Sequence, residues 1–435
     1  MLSQDSKTTA LRGPVETVDL GVSIETLERL RAAQEEFGPI VAFNDERRGP
    51  TLFVNSAEHV NALLLRQHKQ LRKGTDFERV RMLLGNGIIV NDGELWRRHR
   101  RALQPAFTRR RIAEHVVAID AVVDRLAFEW ASAAMEQATV DVNATMSRFA
   151  LEIIQRAIFS DDFDQRFGRA DSNPFRLLSE EFARDLRAVT RLRSARNDVQ
   201  AIIEDRRVSE RRHIDFLDEL LFGAPALDAE LTDKEIVDEV MTLVVAGYET
   251  SAATLTFAWH QLATNPALAD ALVNELTTAG EAADDPLAWV GKLPRTMAML
   301  RETLRLYPPV WLFSRRTAEA LTVLDIDIPA DTNLLLSPYL LHRDPVHWTS
   351  PEDFDPDRFL AGADNPAYIP FSLGPRRCIG EFFAMLEMCR HFHRLLPMFV
   401  PALVEEPRLD LRFGINLRPG HTVTMHLDRR QGVQV

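Results

Sequence analysis

The strongest hydrophobic pattern in the chain runs from Leu231 to Asn265. Thr232 is placed to cap a helix whose third residue, Glu235, can reach back and complete a capping box, and Asn265-Pro266 closes it. At about 1.5 Å per residue such a helix is roughly 50 Å long, enough to cross a whole domain. Around Leu243 to Ala246 apolar residues point in nearly every direction, which predicts a helix inside the molecule. From about Thr108 to Arg212 apolar positions recur at three and four, as in AEHVVAIDAVVDRLAFEWASAAMEQA, so the middle of the chain is predicted to be α-helical. Further helices are expected after the cap Asn55-Ser56, in RTMAMLRETLRLY after Pro294, and in GEFFAMLEMCRHF.

Period-two patterns are short and lie towards the ends. Ile40 to Phe43 and Thr51 to Val54 flank the turn-like NDERRGP and predict a β-hairpin with a longer loop. Beyond Pro308-Pro309 the segment LTVLDIDIPADTNLLLSPYL is extended and HRDPVHWTSPEDFDPDRF is proline-marked, and alternation in RPGHTVTMHL suggests a terminal hairpin. The 435 residues would allow two or three domains by length. No repeat, low-complexity tract or linker divides them, so the expectation is one mainly α domain over residues 1–435 with small β-sheets.

Composition narrows the function. With 46% hydrophobic and 27% charged residues the chain is ordinary globular material. Acidic residues outnumber basic ones 64 to 52, a formal charge of −12, which argues against a nucleic-acid partner. Two cysteines, Cys378 and Cys389, are too few for a secreted disulfide scaffold and point to a reducing, cytoplasmic setting. The start, MLSQDSKTTALRG, has no apolar signal segment. Val240 to Trp259 has one charge, Glu249, and resembles a membrane span, but it also carries Thr242, Thr250, Ser251, Thr254 and Thr256. A mid-span charge costs about 2.5–3.5 kcal/mol; a buried helix in a soluble protein, with no stable membrane insertion, is expected.

The stretch Phe371-Ser-Leu-Gly-Pro-Arg-Arg-Cys-Ile-Gly380 carries the clearest chemistry. Cys378 leads directly into a predicted helix, so free backbone N–H groups and the positive helix end should favour thiolate over thiol. Gly374 and Gly380 allow close backbone approach to something flat, Phe371 can cover the sulfur, and Arg376 can face an anion. A thiolate, an apolar shield and a cation suit a haem with carboxylate side chains. Cys389 has no such setting and is expected to be an inert core residue.

The pattern F-x-x-G-x-R-x-C-x-G resembles the haem-ligand loop of the cytochrome P-450 family, the haem-thiolate monooxygenases. Other segments share the resemblance. Glu302 and Arg305, three apart on one helix, with Pro356-Asp-Arg358-Phe359 further on, are similar to the family's structural charge network. Ala246-Gly-Tyr-Glu-Thr-Ser251 resembles its oxygen-activating helix segment: a hydroxyl bond from Thr250 to the Ala246 carbonyl would open a groove, Gly247 would leave room for dioxygen, and Glu249 with Thr250 would relay protons. Trp96-Arg-Arg-His-Arg100 resembles the W-x-x-x-R near the haem carboxylates, with Trp96 and Arg100 turned inward and neighbouring arginines offering a positive dock for an acidic redox protein. Arg315, in preference to Arg316, matches the family's carboxylate-binding arginine.

The resemblance implies a triangular, mainly α fold, with haem b between the long helix and the cysteine-loop helix. Cys378 would be the axial iron ligand, and Arg376, Phe371, Gly380, Trp96, Arg100, Arg315 and Ala246 would contact the cofactor. The implied reaction inserts one oxygen atom of O2 into a lipophilic small molecule, by hydroxylation or epoxidation. Electrons would come ultimately from NAD(P)H, through a separate ferredoxin- or flavodoxin-type protein, to a monomeric enzyme. By position relative to the motifs, Met82 to Val90, Phe175 to Val189, Val245, Trp311 to Phe313 and Ile415 should line the pocket. A peroxide-driven peroxygenase and a non-catalytic haem-based ligand sensor are the alternatives. His391 and His393, two apart on a helix, and Gly85-Asn-Gly87 are expected to be structural.

Overall fold

The computed structural model describes residues 11–167, 175, 186–223, 229–280, 285–362, 364–404 and 408–430. The central helix, Asp233–Thr264, has the expected capping box: Glu235 N–H donates to Thr232 Oγ1 at 3.3 Å and Thr232 N–H donates to Glu235 Oε2 at 2.9 Å. Its side chains are buried almost continuously from Ile236 to Leu262. The break is Val245–Gly247 with Glu249 and Thr250, which are accessible between sealed turns on either side. A helix of this length is helical because its surroundings bury it on all sides.

Val142–Phe159 packs along the central helix. The close approach depends on Gly247, where a Cβ would come within 2.9 Å of Ile154 Cγ1. Gly247 therefore makes room for a neighbouring helix and not for dioxygen, contrary to the expectation from its motif. Helices Val116–Met135, Pro294–Leu306 and Glu381–Leu395 complete the main core with residues such as Trp130, Leu300 and Phe392. The long helix predicted across AEHVVAI is broken at His115, whose ring is drawn into an aromatic cluster, 4.9 Å from Phe216 and 6.0 Å from Phe383.

The predicted hairpin is present, with Ile40–Asp45 antiparallel to Gly49–Val54 and a shorter turn than expected. Ser56 alone caps the helix after it, accepting from His59 N–H. These strands belong to a six-stranded sheet in the order Thr17–Val18, Ile40–Asp45, Gly49–Val54, Asn333–Leu336, Phe313–Thr317, Leu71–Lys73. The expected terminal hairpin does not form. Leu417–Pro419 pairs with Leu411–Phe413, while Thr424–Arg429 pairs with Phe399–Leu403 and Thr139–Asp141. The two halves of that segment therefore belong to different sheets. Among the described residues no helix is long and apolar enough to cross a membrane.

Candidate active site

The loop from Phe371 to Gly380 is fixed from both ends. Cys378 N–H donates to Phe371 O at 2.9 Å and Arg377 N–H to Gly374 O at 3.0 Å. Gly374 has φ +71°, and a Cβ there would meet Leu64 O at 2.2 Å, so this glycine is demanded by the neighbouring backbone. Gly380 is different: its φ is −87° and the nearest atom to an added Cβ is Phe107 Cε1 at 3.7 Å. An added Cβ there would be in ordinary contact with Phe107, so no clash demands this glycine. Cys378 is accessible on one face and surrounded by protein on the others, with Gly380 and Glu381 N–H groups directed at its sulfur. Burial nevertheless outweighs those N–H groups and holds the thiol above its ordinary pKa. The expectation that the helix end alone would favour thiolate is thus reversed by desolvation.

On the central helix, Thr250 Oγ1 donates to Ala246 O at 2.9 Å, as expected. Thr242, Thr254 and Thr256 bond back in the same way to Asp238, Thr250 and Ala252, loosening successive turns of the helix. Glu249 and Thr250 do not bond each other. The Glu249 carboxylate accepts instead from Asn416 Nδ2 at 2.7 Å. Ser251, one residue further, bonds Glu387, whose buried carboxyl is pushed up to about 8 by desolvation.

A cluster of cations lies near the cysteine loop. Lys73 and Arg315 are direct partners in antiparallel strands, an arrangement that is destabilising for like charges. Arg315 is buried, with its pKa lowered to about 10 by burial and then by Arg376. Lys73 is pushed well down by burial, Arg315 and Arg376. Arg376 donates to Asn91 O at 2.9 Å, pairs with Asp92 and sits 4.6 Å from the Trp96 ring centre. Among the described residues Asp92 is the one carboxylate acting on all three cations. Three positive groups against one negative group leave the cluster short of anions. Arg316 turns away to Asp331.

Trp96 and Arg100 are less clearly separated from the surface than expected. Both line an open groove with Arg97, Arg101, Gln104, Pro105 and Thr108. Arg100 donates to Gln104 Oε1 at 2.9 Å and to Arg377 O at 3.1 Å, and it lies close enough to Cys378 to be influenced by it. Of the surrounding arginines, Arg97 pairs with Glu94, Arg98 with Glu235 and Arg111 with Glu114 and Glu219, while Arg101, Arg109 and Arg110 are exposed.

Glu302, Arg305 and Arg358 form a closed network. Both Glu302 and Arg305 are fully buried. Arg305 binds the Glu302 carboxylate with two N–H groups, at 2.7 and 2.8 Å, and spends the rest on the carbonyls of His342, Pro351 and Asp353. Asp355 N–H at 2.8 Å and Arg358 Nε at 3.1 Å complete the Glu302 acceptors. The network reaches the cysteine segment through His342, which is hydrogen-bonded to Arg305 O and accepts from Ile369 N–H.

Pocket-lining expectations divide. Val245 is partly accessible, Phe313 packs under Arg315 at 4.9 Å, and Ile415 is 74% exposed. Trp311 does not line a cavity: it is fully buried, edge-on to Phe413 at 5.1 Å, with its N–H donated to Gly414 O. Phe175 is likewise a core residue, beside Phe167, and residues 176–185 lie outside the described residues. The loop Met82 to Val90 hangs from the central helix. Asn86 N–H donates to Asp238 Oδ2 at 2.8 Å, Ile88 N–H bonds Glu239, and Arg196 joins Asp238 to Leu84 O. Gly85 and Gly87 are needed because a Cβ would meet Asp238 at 2.1 Å or Thr242 at 2.0 Å. His391 accepts from Trp259 Nε1 at 2.8 Å. Lys73, Asp92, Asn416 and Asp238 were not singled out by the sequence; no local motif marks any of them.

A sulfur at a helix start and a cation excess fit a flat group that carries a metal and carboxylates, as haem does. Residues 17–177 and 170–413 match the family model "Cytochrome P450". The chain is 32% identical over 332 residues to cyclooctatin synthase of Streptomyces melanosporofaciens, covering 71% of this chain and 72% of that protein. It is 31% identical over 339 residues to cyclooctat-9-en-7-ol 5-monooxygenase of the same organism, covering 72% of each. It is 29% identical over 360 residues to pentalenene oxygenase of Streptomyces avermitilis, covering 78% of each. Sulfur loop, buried charge network, central helix and these likenesses lead to one conclusion: the chain belongs to the cytochrome P450 family of haem-dependent monooxygenases.

Proposed function

We propose that this cytochrome P450 works as one catalytic domain that oxygenates a lipophilic cyclic alkene or alkenol, taking electrons from a separate ferredoxin- or flavodoxin-type protein supplied by NAD(P)H. The observation that carries the site assignment is the cation excess of Lys73, Arg315 and Arg376 beside the cysteine loop. The names of the relatives, which specify pentalenene and cyclooctat-9-en-7-ol, support the substrate class, and the accessible apolar Val245, Ala246 and Ile415 suit such a molecule. Exposed Arg101, Arg109 and Arg110 around the Trp96 groove suit an acidic electron donor.

When bound, haem supplies the activation of dioxygen and delivers the oxygen atom that enters the substrate. Cys378 would hold the iron, with Phe371 over the sulfur and the Gly380 and Glu381 N–H groups tempering its charge. Arg315, Arg376, Lys73, Arg100 and Trp96 would hold the carboxylates and fix the cofactor's register. Ala246 keeps the helix surface low where substrate approaches, and the bonded Thr250 hydroxyl and Ala246 carbonyl lie at the accessible part of the helix. Glu249 brings protons from the outer side, and Thr250 passes them inward. Glu302, Arg305 and Arg358 hold the cysteine segment in place without touching the chemistry.

The test is spectroscopic. Reduced protein gassed with carbon monoxide should give a thiolate-type Soret band, and Cys378→Ser should abolish it; the same band in the variant would overturn the ligand assignment. Cyclic alkenes and alkenols should produce a high-spin shift, whereas a response to linear fatty acids alone would reject the substrate class.

A further inference from the structure

We propose that Asn416 is a positioning residue for proton delivery, holding the Glu249 carboxylate from the turn between Leu411–Phe413 and Leu417–Pro419. The inference rests on the reading of Glu249 and Thr250 as the proton path. The two side chains come from segments 167 residues apart and meet at 2.7 Å, Asn416 Nδ2 donating to Glu249 Oε2. Glu249 gets no help from its neighbour, because the Thr250 hydroxyl is committed to Ala246 O. A glutamate on a helix surface otherwise samples several rotamers, and losing that freedom requires a fixed partner.

The turn that carries Asn416 is such a partner. It joins Leu411–Phe413 to Leu417–Pro419, which are paired antiparallel. Trp311 Nε1 donates to Gly414 O at 2.7 Å, and Leu417 N–H donates to Pro309 O at 2.8 Å. Both anchors sit on the buried stretch that follows the Glu302 helix, so the amide approaches the central helix from a rigid base. The donor is also neutral. An amide fixes the carboxylate's direction without adding a charge of its own. Ile415, in the same turn, is 74% exposed.

The experiment uses the haem-loaded enzyme driven by a plant-type ferredoxin, its reductase and NADPH, without added substrate. Oxygen uptake, its solvent deuterium isotope effect and the peroxide released per NADPH are read for Glu249→Gln, Asn416→Ala, Asn416→Gln and the Glu249→Gln/Asn416→Ala pair. Glu249→Gln should slow uptake about tenfold and raise the isotope effect. Asn416→Ala should do the same about threefold, and Asn416→Gln should recover much of the loss. In the pair the asparagine change should add little, and urea midpoints of the four proteins should be non-additive. If Glu249→Gln leaves uptake and isotope effect unchanged, the proton path and this role fall together. If Glu249→Gln impairs both while Asn416→Ala is silent, or its effect simply adds in the pair, the positioning role alone is overturned.

Discussion

Two charge clusters flank the cysteine loop, and they are built on opposite principles. In the Glu302–Arg305–Arg358 network every N–H of Arg305 has an acceptor supplied by the chain, and the Glu302 carboxylate is met by three donor groups. In the Lys73–Arg315–Arg376 cluster two cations face each other across paired strands and Asp92 is the shared counter-charge. Desolvating a charge is expensive unless it is paired. The closed network has met that cost within the fold; the open cluster has not, and on the proposed function the missing anions are those of a ligand. On that reading, charge balance separates residues that hold the protein together from residues kept for a cofactor, a distinction that burial alone does not make.

The largest test of this contrast is Glu302→Ala. It strips the carboxylate from two arginines, one of them fully buried, and leaves a charge with nowhere to go. The expected loss is about 3–5 kcal/mol, read as the urea midpoint with and without haem. A stability close to the parent protein in the haem-free state would show that the network acts only on the cofactor.

Glu387 supplies an intermediate case. Its carboxyl is buried, Oε1 has no hydrogen-bond partner, Ser251 is its support, and its pKa is pushed up to about 8. Among the described residues no cation pairs with it, and burial favours its protonated form. A folded-state pKa raised above the ordinary carboxylate value means that the native state holds a proton the unfolded chain has released. Stability should therefore fall as pH rises from about 4.5 towards about 8, by a few kcal/mol, and then level off. Glu387→Gln should remove the slope. Urea midpoints at several pH values decide it: a slope that survives the substitution assigns the effect to another group.

How much of this could be seen in the sequence follows from where each interaction partner lies. Cys378 and its loop are contiguous, Glu302 and Arg305 are three apart, and Thr232 and Glu235 form one cap, so local spacing reveals all of them. The helix-rich fold was legible for the same reason. Lys73 sits in a three-residue strand and meets Arg315 only through strand pairing, and Asn416 meets Glu249 only because a late turn folds back over the central helix. Gly247 and Trp311 were placed correctly along the chain but assigned to the wrong neighbours. Periodicity says which face of an element is apolar; it does not say whether Ile154 or a ligand fills that face. The thiol of Cys378 is harder to read, because sequence shows the helix start but not the surrounding protein that opposes its N–H groups.

The subtlest prediction has two signs. Arg315→Met keeps the length and apolar stem of the side chain while removing a buried cation that faces Lys73 and Arg376. If the cluster is unbalanced in the protein alone, the haem-free variant should be more stable than its parent, by about 1 kcal/mol or less, because like-charge opposition and desolvation are both relieved. The haem-loaded variant should lose cofactor faster to an acceptor such as apomyoglobin, because the carboxylates have lost their buried partner. A structural arginine would destabilise both forms on removal, and an incidental one would change neither. Only a residue whose charge is held in reserve for a bound anion weakens the complex while strengthening the protein without it.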